Sequence, residues 1–222
     1  MNIETITRKE IEIPVGGCSV KGILTIPDNA KGLIIFAHGS GSSRLSPRNN
    51  EVANDLNESG YATLLFDLLT EKEDLLRENR FNIKLLAERL IVTTGWIMGM
   101  EEITGLPIGY FGASTGSAAA LLASTRLGHK VKAIVSRGGR PDLVMSNLEY
   151  VKKPVLLIVG ARDEHVIHLN RNAYFRLPSN KKMRIVDGAS HLFEEPGKLK
   201  VVTELAKEWY DKHLIGDDNN EI

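Results

Sequence analysis

One pentapeptide limits the folds open to this chain more than any other feature. Residues Gly112–Gly116 read Gly-Ala-Ser-Thr-Gly and lie between an apolar run, Leu106–Phe111, and an alanine-rich run, Ser117–Ala123. The first run suits a short buried strand, and the second is a strong helix former. A Gly-x-Ser-x-Gly motif between a strand and a helix is typical of a sharp turn that exposes a nucleophilic serine, here Ser114.

Two other structures would also use this pentapeptide. It could be a Gly/Ser turn that packs a helix onto a sheet, or a helix N-terminus that binds phosphate. The second alternative lacks its usual signatures, since the motif is neither Gly-x-Gly-x-x-Gly nor Gly-Lys-Ser/Thr. The absence of Gly-x-Gly-x-x-Gly after an early strand also argues against a dinucleotide-binding domain.

Apolar runs alternate with longer helical patterns along the rest of the chain. Two β-rich runs, Lys9–Val15 and Ser19–Pro27, flank Gly16-Gly17 and predict an antiparallel hairpin. Further strands are predicted at Gly32–His38, Tyr61–Asp67, Lys130–Arg137, Pro154–Gly160 and Lys182–Asp187, and helices at Ser46–Ser59, Phe81–Met98, His165–Leu177 and Glu195–Leu214. This alternation predicts an α/β fold: a mostly parallel sheet of about eight strands, with antiparallel N-terminal strands and helices on both faces.

Length and charge bound the organisation and the partners. The chain has 222 residues, of which 28 are basic and 28 are acidic. We expect one domain over residues 1–222, with its core at about 9–214 and a polar tail at 216–222. A balanced charge provides no general attraction to nucleic acid or anionic membranes, so the expected partner is a small molecule.

The sequence also predicts the compartment. The N-terminal ten residues are polar, which predicts no signal peptide, and no apolar stretch approaches the length of a membrane span. These two features favour a cytoplasmic location. The single cysteine, Cys18, excludes an internal disulfide, and we expect it to be a free thiol in or beside a strand.

A serine hydroxyl needs a base and an orienting acid before it can act as a nucleophile. His191 is the candidate base, because it lies in a turn between the last predicted strand and the last helix. Asp163 is the candidate acid, because it follows a predicted strand in a short turn; Glu164 and Asp142 are the alternatives. The chain order Ser114, Asp163, His191 is the order expected for this type of motif.

Attack on an acyl carbonyl creates an oxyanion that needs N–H donors. One predicted donor is the backbone N–H of Thr115, the residue after the candidate nucleophile, and the other is the N–H of Ser40 in the glycine-rich loop His38–Gly41. This chemistry requires no metal and no organic cofactor. His165 and His168 have a spacing that resembles a metal pair, but the sequence suggests no third ligand.

Two arginines follow the predicted strand after the pentapeptide helix. Arg137 and Arg140 lie in a loop that can border the same edge of the sheet, where a guanidinium could hold a substrate carboxylate or phosphate. The alternative is an arginine that pairs with a nearby acid such as Asp142 and only holds the loop. Arg44 and Arg48 are weaker candidates for the same anion-binding role.

Four short motifs resemble those of the α/β-hydrolase superfamily, in the same order and rhythm. They are His38-Gly-Ser-Gly41, Gly112-Ala-Ser-Thr-Gly116, Gly160-Ala-Arg-Asp163 and Gly188-Ala-Ser-His191. The resemblance covers roughly Ile11 to Leu214 and implies a three-layer α/β-hydrolase fold. Within the superfamily, the chain is similar to the small dienelactone-hydrolase-like group without a large lid, and to bacterial proteins also found fused to phosphoribosyltransferase domains.

The resemblance implies a serine hydrolase that cleaves esters of small acyl substrates through a Ser-His-Asp triad and an acyl-enzyme intermediate. Dienelactone hydrolases are known for a cysteine nucleophile, so the serine at position 114 favours a generic serine esterase. Thioesterase, peptidase or acyltransferase chemistry on the same triad stays open, as does a non-catalytic binding protein on a hydrolase scaffold. The sequence also leaves open whether the chain forms a homodimer.

Overall fold

One mixed sheet organises residues 6–178 and 180–216, which are the residues that the computed structural model describes. Its strands are β1 (Ile6–Pro14), β2 (Ser19–Pro27), β3 (Leu33–Ala37), β4 (Ala62–Phe66), β5 (Ile108–Ala113), β6 (Val131–Arg137), β7 (Val155–Gly160) and β8 (Lys181–Val186). Within the described residues their order across the sheet is β1-β2-β4-β3-β5-β6-β7-β8. The pairs β1–β2 and β2–β4 are antiparallel and the other pairs are parallel, which confirms the predicted α/β architecture.

Helices cover both faces of this sheet. They are α1 (Pro47–Glu58), α2 (Glu71–Asp74), α3 (Ile83–Ile97), α4 (Thr115–Leu127), α5 (Glu164–Arg176) and α6 (Lys198–Tyr210). Alternate residues of a strand point to opposite faces, so the central strand β3 contributes to two separate cores. Leu33 and Ile35 pack with α3 and α4 on one face, whereas Ile34 and Phe36 pack with α1 and α6 on the other.

The observed elements differ from the predicted ones mainly at their ends. The last helix begins at Lys198 rather than Glu195, because Gly197 has a left-handed backbone with φ of 76°. The regular part of α6 ends at Tyr210, and one π-helical turn, Asp211–Ile215, follows it. A run of 3₁₀ turns at Pro141–Tyr150 has no counterpart in the sequence prediction. Gly216 is described, whereas the rest of the predicted polar tail, 217–222, lies outside the described residues.

The charged segment between β4 and α3, residues 68–80, is short and partly ordered. A capping box fixes its start, because the Glu73 carboxylate accepts from the Thr70 N–H while the Thr70 hydroxyl accepts from the Glu73 N–H. Arg89 of α3 also pairs with Glu73. The connection between β6 and β7, residues 138–154, is longer and contains the 3₁₀ run. Within the described residues no helix is long and apolar enough to cross a membrane.

The carboxyl ends of the parallel strands meet at one edge of the sheet and bring the candidate residues together. The loop His38–Gly41 follows β3, Ser114 follows β5, and Arg137 is the last residue of β6. Asp163 and His191 lie in the loops after β7 and β8. Ligands of open α/β sheets bind at this kind of edge, so it is the candidate functional site.

Candidate active site

Ser114 occupies a strained turn between β5 and α4. Its backbone has φ of 50° and ψ of −122°, a conformation that residues other than glycine rarely adopt. The two glycines of the motif make this turn possible, because a Cβ at Gly112 would overlap the backbone of Ser117, and one at Gly116 would overlap the carbonyl oxygen of Ala37. The motif therefore forms the sharp, crowded elbow that the sequence predicts.

Backbone hydrogen bonds hold this elbow against the end of β6. The Ser114 N–H donates to the carbonyl oxygen of Arg137 at 3.1 Å. The Ser114 carbonyl oxygen accepts from the N–H groups of Ser117 and Arg140, each at 3.1 Å. Three backbone hydrogen bonds thus help to hold the strained conformation of Ser114 at the sheet edge.

His191 and Asp163 form a short side-chain contact in the site. The His191 Nδ1 and Asp163 Oδ2 atoms are 2.5 Å apart, and the Asp163 carboxylate is largely buried. A carboxylate can only accept, so Nδ1 carries the proton in this pair and Nε2 of the neutral ring is left as an acceptor. This is the tautomer that a general base beside a serine needs.

The loops that carry these two residues pack directly against each other. A Cβ at Gly160 would overlap the carbonyl oxygens of Ala189 and Ser190, so glycine is required at the end of β7. The Arg162 N–H donates to the Ala189 carbonyl at 2.9 Å and adds a further tie between the loops. The approach of two backbones, rather than any one side chain, therefore sets the distance from the carboxylate to the imidazole.

Glu195 also positions the histidine loop, a role that its sequence context does not predict. Both of its carboxylate oxygens accept from the Ser190 N–H, at 3.0 and 3.1 Å. This hydrogen bond lowers the pKa of Glu195, since it favours the charged carboxylate. Ser190 directly precedes His191, so the ionised carboxylate holds the backbone beside the imidazole. The only sequence signal is its place four residues after the histidine.

Ser114 and His191 line one cavity of about 240 Å³ at the sheet edge. Its other walls come mainly from the loop after β3, the start of α1 and the end of β6: Gly39, Ser40, Ser42, Ser46, Arg48, Asn49, Ala113, Arg137 and Leu192. Among the described residues, no hydrogen bond joins the Ser114 hydroxyl to the His191 ring. Such contacts are often long in a free site and shorten when substrate is bound.

Of the two residues predicted to donate to an oxyanion, Ser40 lines this cavity and Thr115 directly follows Ser114, but the Ser40 N–H already has a partner. The Ser40 N–H donates to the Thr115 hydroxyl oxygen at 2.8 Å. Gly39 packs directly on the elbow, since a Cβ there would be 3.1 Å from the Ser114 Cβ. The loop after β3 is therefore close enough to serve an oxyanion on Ser114, with the Thr115 hydroxyl in contact with the Ser40 donor.

The ring of His38 holds this loop in place through two hydrogen-bond contacts. Its buried ring contacts the Gly39 carbonyl oxygen through Nδ1 at 2.9 Å and accepts from the Leu68 N–H through Nε2 at 3.1 Å. Burial lowers the pKa of His38, although the Gly39 hydrogen bond opposes that shift. The ring is therefore neutral, and it links the loop after β3 to the chain after β4.

The structure separates the two candidate arginines. Arg140 forms a bidentate ion pair with Asp142, with Nε and Nη2 at 2.8 and 2.9 Å from the carboxylate oxygens. Its guanidinium thus holds the loop, which was the alternative interpretation. Arg137 instead lines the cavity, where its Nη2 donates to the Asn49 side chain at 3.0 Å. Burial, reinforced by the charge of Arg48, lowers the pKa of Arg137 to about 10.

The remaining candidates lie away from the reacting groups or have acidic partners. Arg44 donates to Asp67 from its backbone N–H at 2.8 Å and from its Nη1 at 2.6 Å. Arg48 pairs with Glu194 at 2.5 Å on the rim of the cavity. Within the described residues, no group of three or more His, Cys, Asp or Glu side chains is arranged to hold a metal ion.

Comparisons with known proteins match this fold over nearly its whole length. Residues 30–209 match the family model described as an alpha/beta hydrolase domain. A dienelactone hydrolase from Anabaena variabilis with a known crystal structure is 49% identical, with a TM-score of 0.91 over 94% of this chain and 99% of that one. Est1E from Butyrivibrio proteoclasticus is 18% identical, with a TM-score of 0.80 over 94% and 99% of the two chains, and shows the fold alone.

A relative of known sequence is longer than this chain. A Mycobacterium tuberculosis protein, provisionally named a phosphoribosyl transferase, is 50% identical over 208 residues. The match covers 94% of this chain but 47% of the relative, so the chain spans about half the length of that protein. The transferase name therefore describes a protein of which this chain resembles one half.

Proposed function

The chain belongs to the α/β-hydrolase family and is dienelactone-hydrolase-like, and on that premise we propose that it is a serine hydrolase that cleaves esters of small acyl substrates. The observation that carries the proposal is the contact between Asp163 and His191, together with the cavity that His191 and Ser114 both line. The three residues come from three different loops, and each supplies one part of a nucleophile–base–acid set.

The proposed reaction begins with proton transfer from the Ser114 hydroxyl to Nε2 of His191. The serine oxygen attacks the acyl carbon, and the backbone N–H groups of Thr115 and Ser40 stabilise the oxyanion. His191 then protonates the leaving alkoxide, which departs and leaves an acyl-serine. Water, deprotonated by the same imidazole, attacks the acyl carbon; His191 then returns the proton to the Ser114 oxygen as the carboxylic acid is released. Asp163 keeps the ring oriented and stabilises its positive charge throughout.

Other reactions on the same three residues are the alternatives to ester hydrolysis. Thioesterase, peptidase and acyltransferase chemistry differ from it in the leaving group or in the final acceptor, so a series of leaving groups would separate them. A non-catalytic binding protein would need neither the strained Ser114 nor the Asp163–His191 contact, and both features favour an enzyme. The transferase name of the Mycobacterium relative supports no separate proposal, because this chain covers about half of that protein.

A covalent probe tests the proposal directly. The wild type is treated with a fluorophosphonate probe, and hydrolysis of 4-nitrophenyl acetate and 4-nitrophenyl butyrate is measured in parallel. We expect labelling and turnover in the wild type and neither in Ser114→Ala. Ser42→Ala is the matched control, because it removes another serine hydroxyl from the same cavity, and it should still be labelled. A folded wild type without labelling or turnover would support the binding-protein alternative.

A further inference from the structure

Arg137 is a buried cation with few partners. It is the last residue of β6 and lies beside Ala113 of β5, with its side chain in the cavity of Ser114 and His191. The residue is only 5% exposed. Its side chain makes one hydrogen bond within the described residues, from Nη2 to Asn49, and its buried Nε has no partner there. A guanidinium has five N–H donors, so most of the Arg137 donors have no hydrogen-bond partner within the described residues.

No carboxylate in the described residues compensates this buried charge. Arg137 forms no ion pair there, and the face of the Phe193 ring, 5.9 Å from the guanidinium carbon, provides a further favourable contact for its charge. Burying a charge without an opposite charge is costly, and proteins normally avoid it. A structural brace would be expected to have an acid, as Arg140 has Asp142 in the adjoining loop.

The charges around Arg137 increase the positive potential of the cavity. Arg48 lines the same cavity, and its buried Nε also has no hydrogen-bond partner within the described residues. Its partner Glu194 is largely exposed, so solvent weakens the compensation that this acid provides. The pKa of Arg137 is lowered to about 10 but stays well above neutral pH, so the side chain carries its charge.

We propose that Arg137, with Arg48 beside it, binds a compact oxyanion group of the substrate, a carboxylate or a phosphate, so that the preferred substrates are small esters with a negative charge. The proposal rests on the proposed function, because it assigns a substrate class to the same cavity. The free N–H groups of Arg137 provide the planar donor pair that recognises two oxygens of such a group. The Ser114–Arg137 backbone hydrogen bond places the two subsites side by side.

A binding experiment tests the anion site without requiring any catalysis. The Ser114→Ala variant is heated with inorganic phosphate, with succinate or with chloride at equal ionic strength. We expect phosphate or succinate to raise Tm above the chloride value, and the anion that does so identifies the preferred oxyanion. Adding Arg137→Met should abolish this shift in Tm. Adding Arg140→Met should leave the shift in place, because it removes a guanidinium that is already paired with Asp142.

A kinetic experiment measures the selectivity. The ratio of kcat/KM for mono-4-nitrophenyl succinate to that for 4-nitrophenyl butyrate should exceed one in the wild type. It should fall about ten- to a hundredfold in Arg137→Met, which is the loss expected for charged hydrogen bonds. Arg137→Lys retains the charge but lacks the planar pair of donors. The ratio should therefore fall in this variant too, by at least half of the fall in Arg137→Met on a logarithmic scale. Arg140→Met should keep the wild-type ratio.

The two experiments separate this inference from the proposed function. If anions raise Tm only when Arg137 is present, but the protein hydrolyses no ester, the anion site is supported and the esterase proposal is contradicted. Hydrolysis of neutral esters, with no anion shift and no preference for the succinate ester in the wild type, would overturn the anion site alone. The wild-type measurements decide this even if Arg137→Met fails to fold.

Discussion

The backbone N–H of Ser40 donates a 2.8 Å hydrogen bond to the side-chain oxygen of Thr115, a residue 75 positions later in the chain. The bond ties the loop after β3 to the first turn of α4. In the proposed mechanism this N–H donates to the oxyanion of the tetrahedral intermediate on Ser114, so the oxyanion has to replace the Thr115 hydroxyl. In the site without substrate, the Thr115 hydroxyl therefore competes with a substrate oxyanion for the Ser40 N–H.

Replacing Thr115 with valine should remove that competitor. Valine keeps the β-branched shape without the hydroxyl, and Ser40 is exposed, so its N–H can bind water until the substrate arrives. We expect kcat/KM for 4-nitrophenyl butyrate to rise about two- to tenfold, which corresponds to one neutral hydrogen bond. Thr115→Ser, which keeps the hydroxyl, is the control. A tenfold fall in Thr115→Val would mean that the hydroxyl itself stabilises the reaction.

Asp163→Asn should lower kcat by about 10³- to 10⁴-fold while the protein stays folded. The amide is uncharged, and its NH₂ group favours the His191 tautomer with the proton on the wrong nitrogen. Asp142→Asn is the matched control, because Asp142 is the acid of a neighbouring loop and pairs with Arg140. Steady-state kinetics with 4-nitrophenyl butyrate measure both. A larger loss in Asp142→Asn would identify that residue as the acid instead.

Replacement of two glycines with alanine, one at a time, should change the free energy of unfolding in opposite directions. At Gly116 a Cβ would overlap the carbonyl oxygens of Ala37 and His38, so Gly116→Ala should lower the free energy of unfolding by about 3 kcal/mol. Gly95 is exposed within α3, and a Cβ added there would meet open space, so Gly95→Ala should raise it by about 0.5–1 kcal/mol. Urea unfolding measures both values. Destabilisation by Gly95→Ala would show that helix propensity does not control that position.

His38 should make stability depend on pH. Its folded pKa is lowered below 6.5 by burial, so the unfolded chain binds more protons between the folded pKa and about 6.5. Its contribution is therefore fully present above that pH and is lost as pH falls towards the folded pKa. His38→Gln should be less stable than the wild type by about 1–3 kcal/mol at pH 7.5, since it disturbs the Leu68 hydrogen bond.

The test of this pH effect is urea unfolding at pH 7.5, 6.5 and about 5.5. The stability difference between the wild type and His38→Gln should shrink as the pH falls, because only the wild type has this group to protonate. His129→Gln is the control, since His129 is exposed at the opposite edge of the sheet. If the difference in stability between the wild type and His38→Gln is the same at all three pH values, burial does not lower the pKa of His38.

Local sequence patterns predict most of the fold. Apolar runs, glycine turns and helical spacing are sufficient to place the eight strands and most helix ends within a few residues, because these elements depend on neighbouring residues. The 3₁₀ run at Pro141–Tyr150 escapes such a prediction, since it has no regular apolar period. The predicted start of α6 is too early, because a left-handed Gly197 ends the preceding loop.

The sequence by itself determined which residues are candidates for the site. A glycine-flanked serine after a strand, an aspartate after another and a histidine before the last helix each have a local signature. Their chain order then follows a known pattern. These are statements about residue type and position, and a parallel sheet brings all such loops to one edge.

Only the tertiary structure decided which side chains contact one another. Arg137 and Arg140 have the same side chain and lie close together in the chain, yet one is buried without an acid and the other is paired with Asp142. The Ser40–Thr115 and Ser190–Glu195 bonds likewise depend on which backbone groups face each other after folding. Such contacts follow from strand register and the packing of distant loops, which no local stretch of sequence encodes.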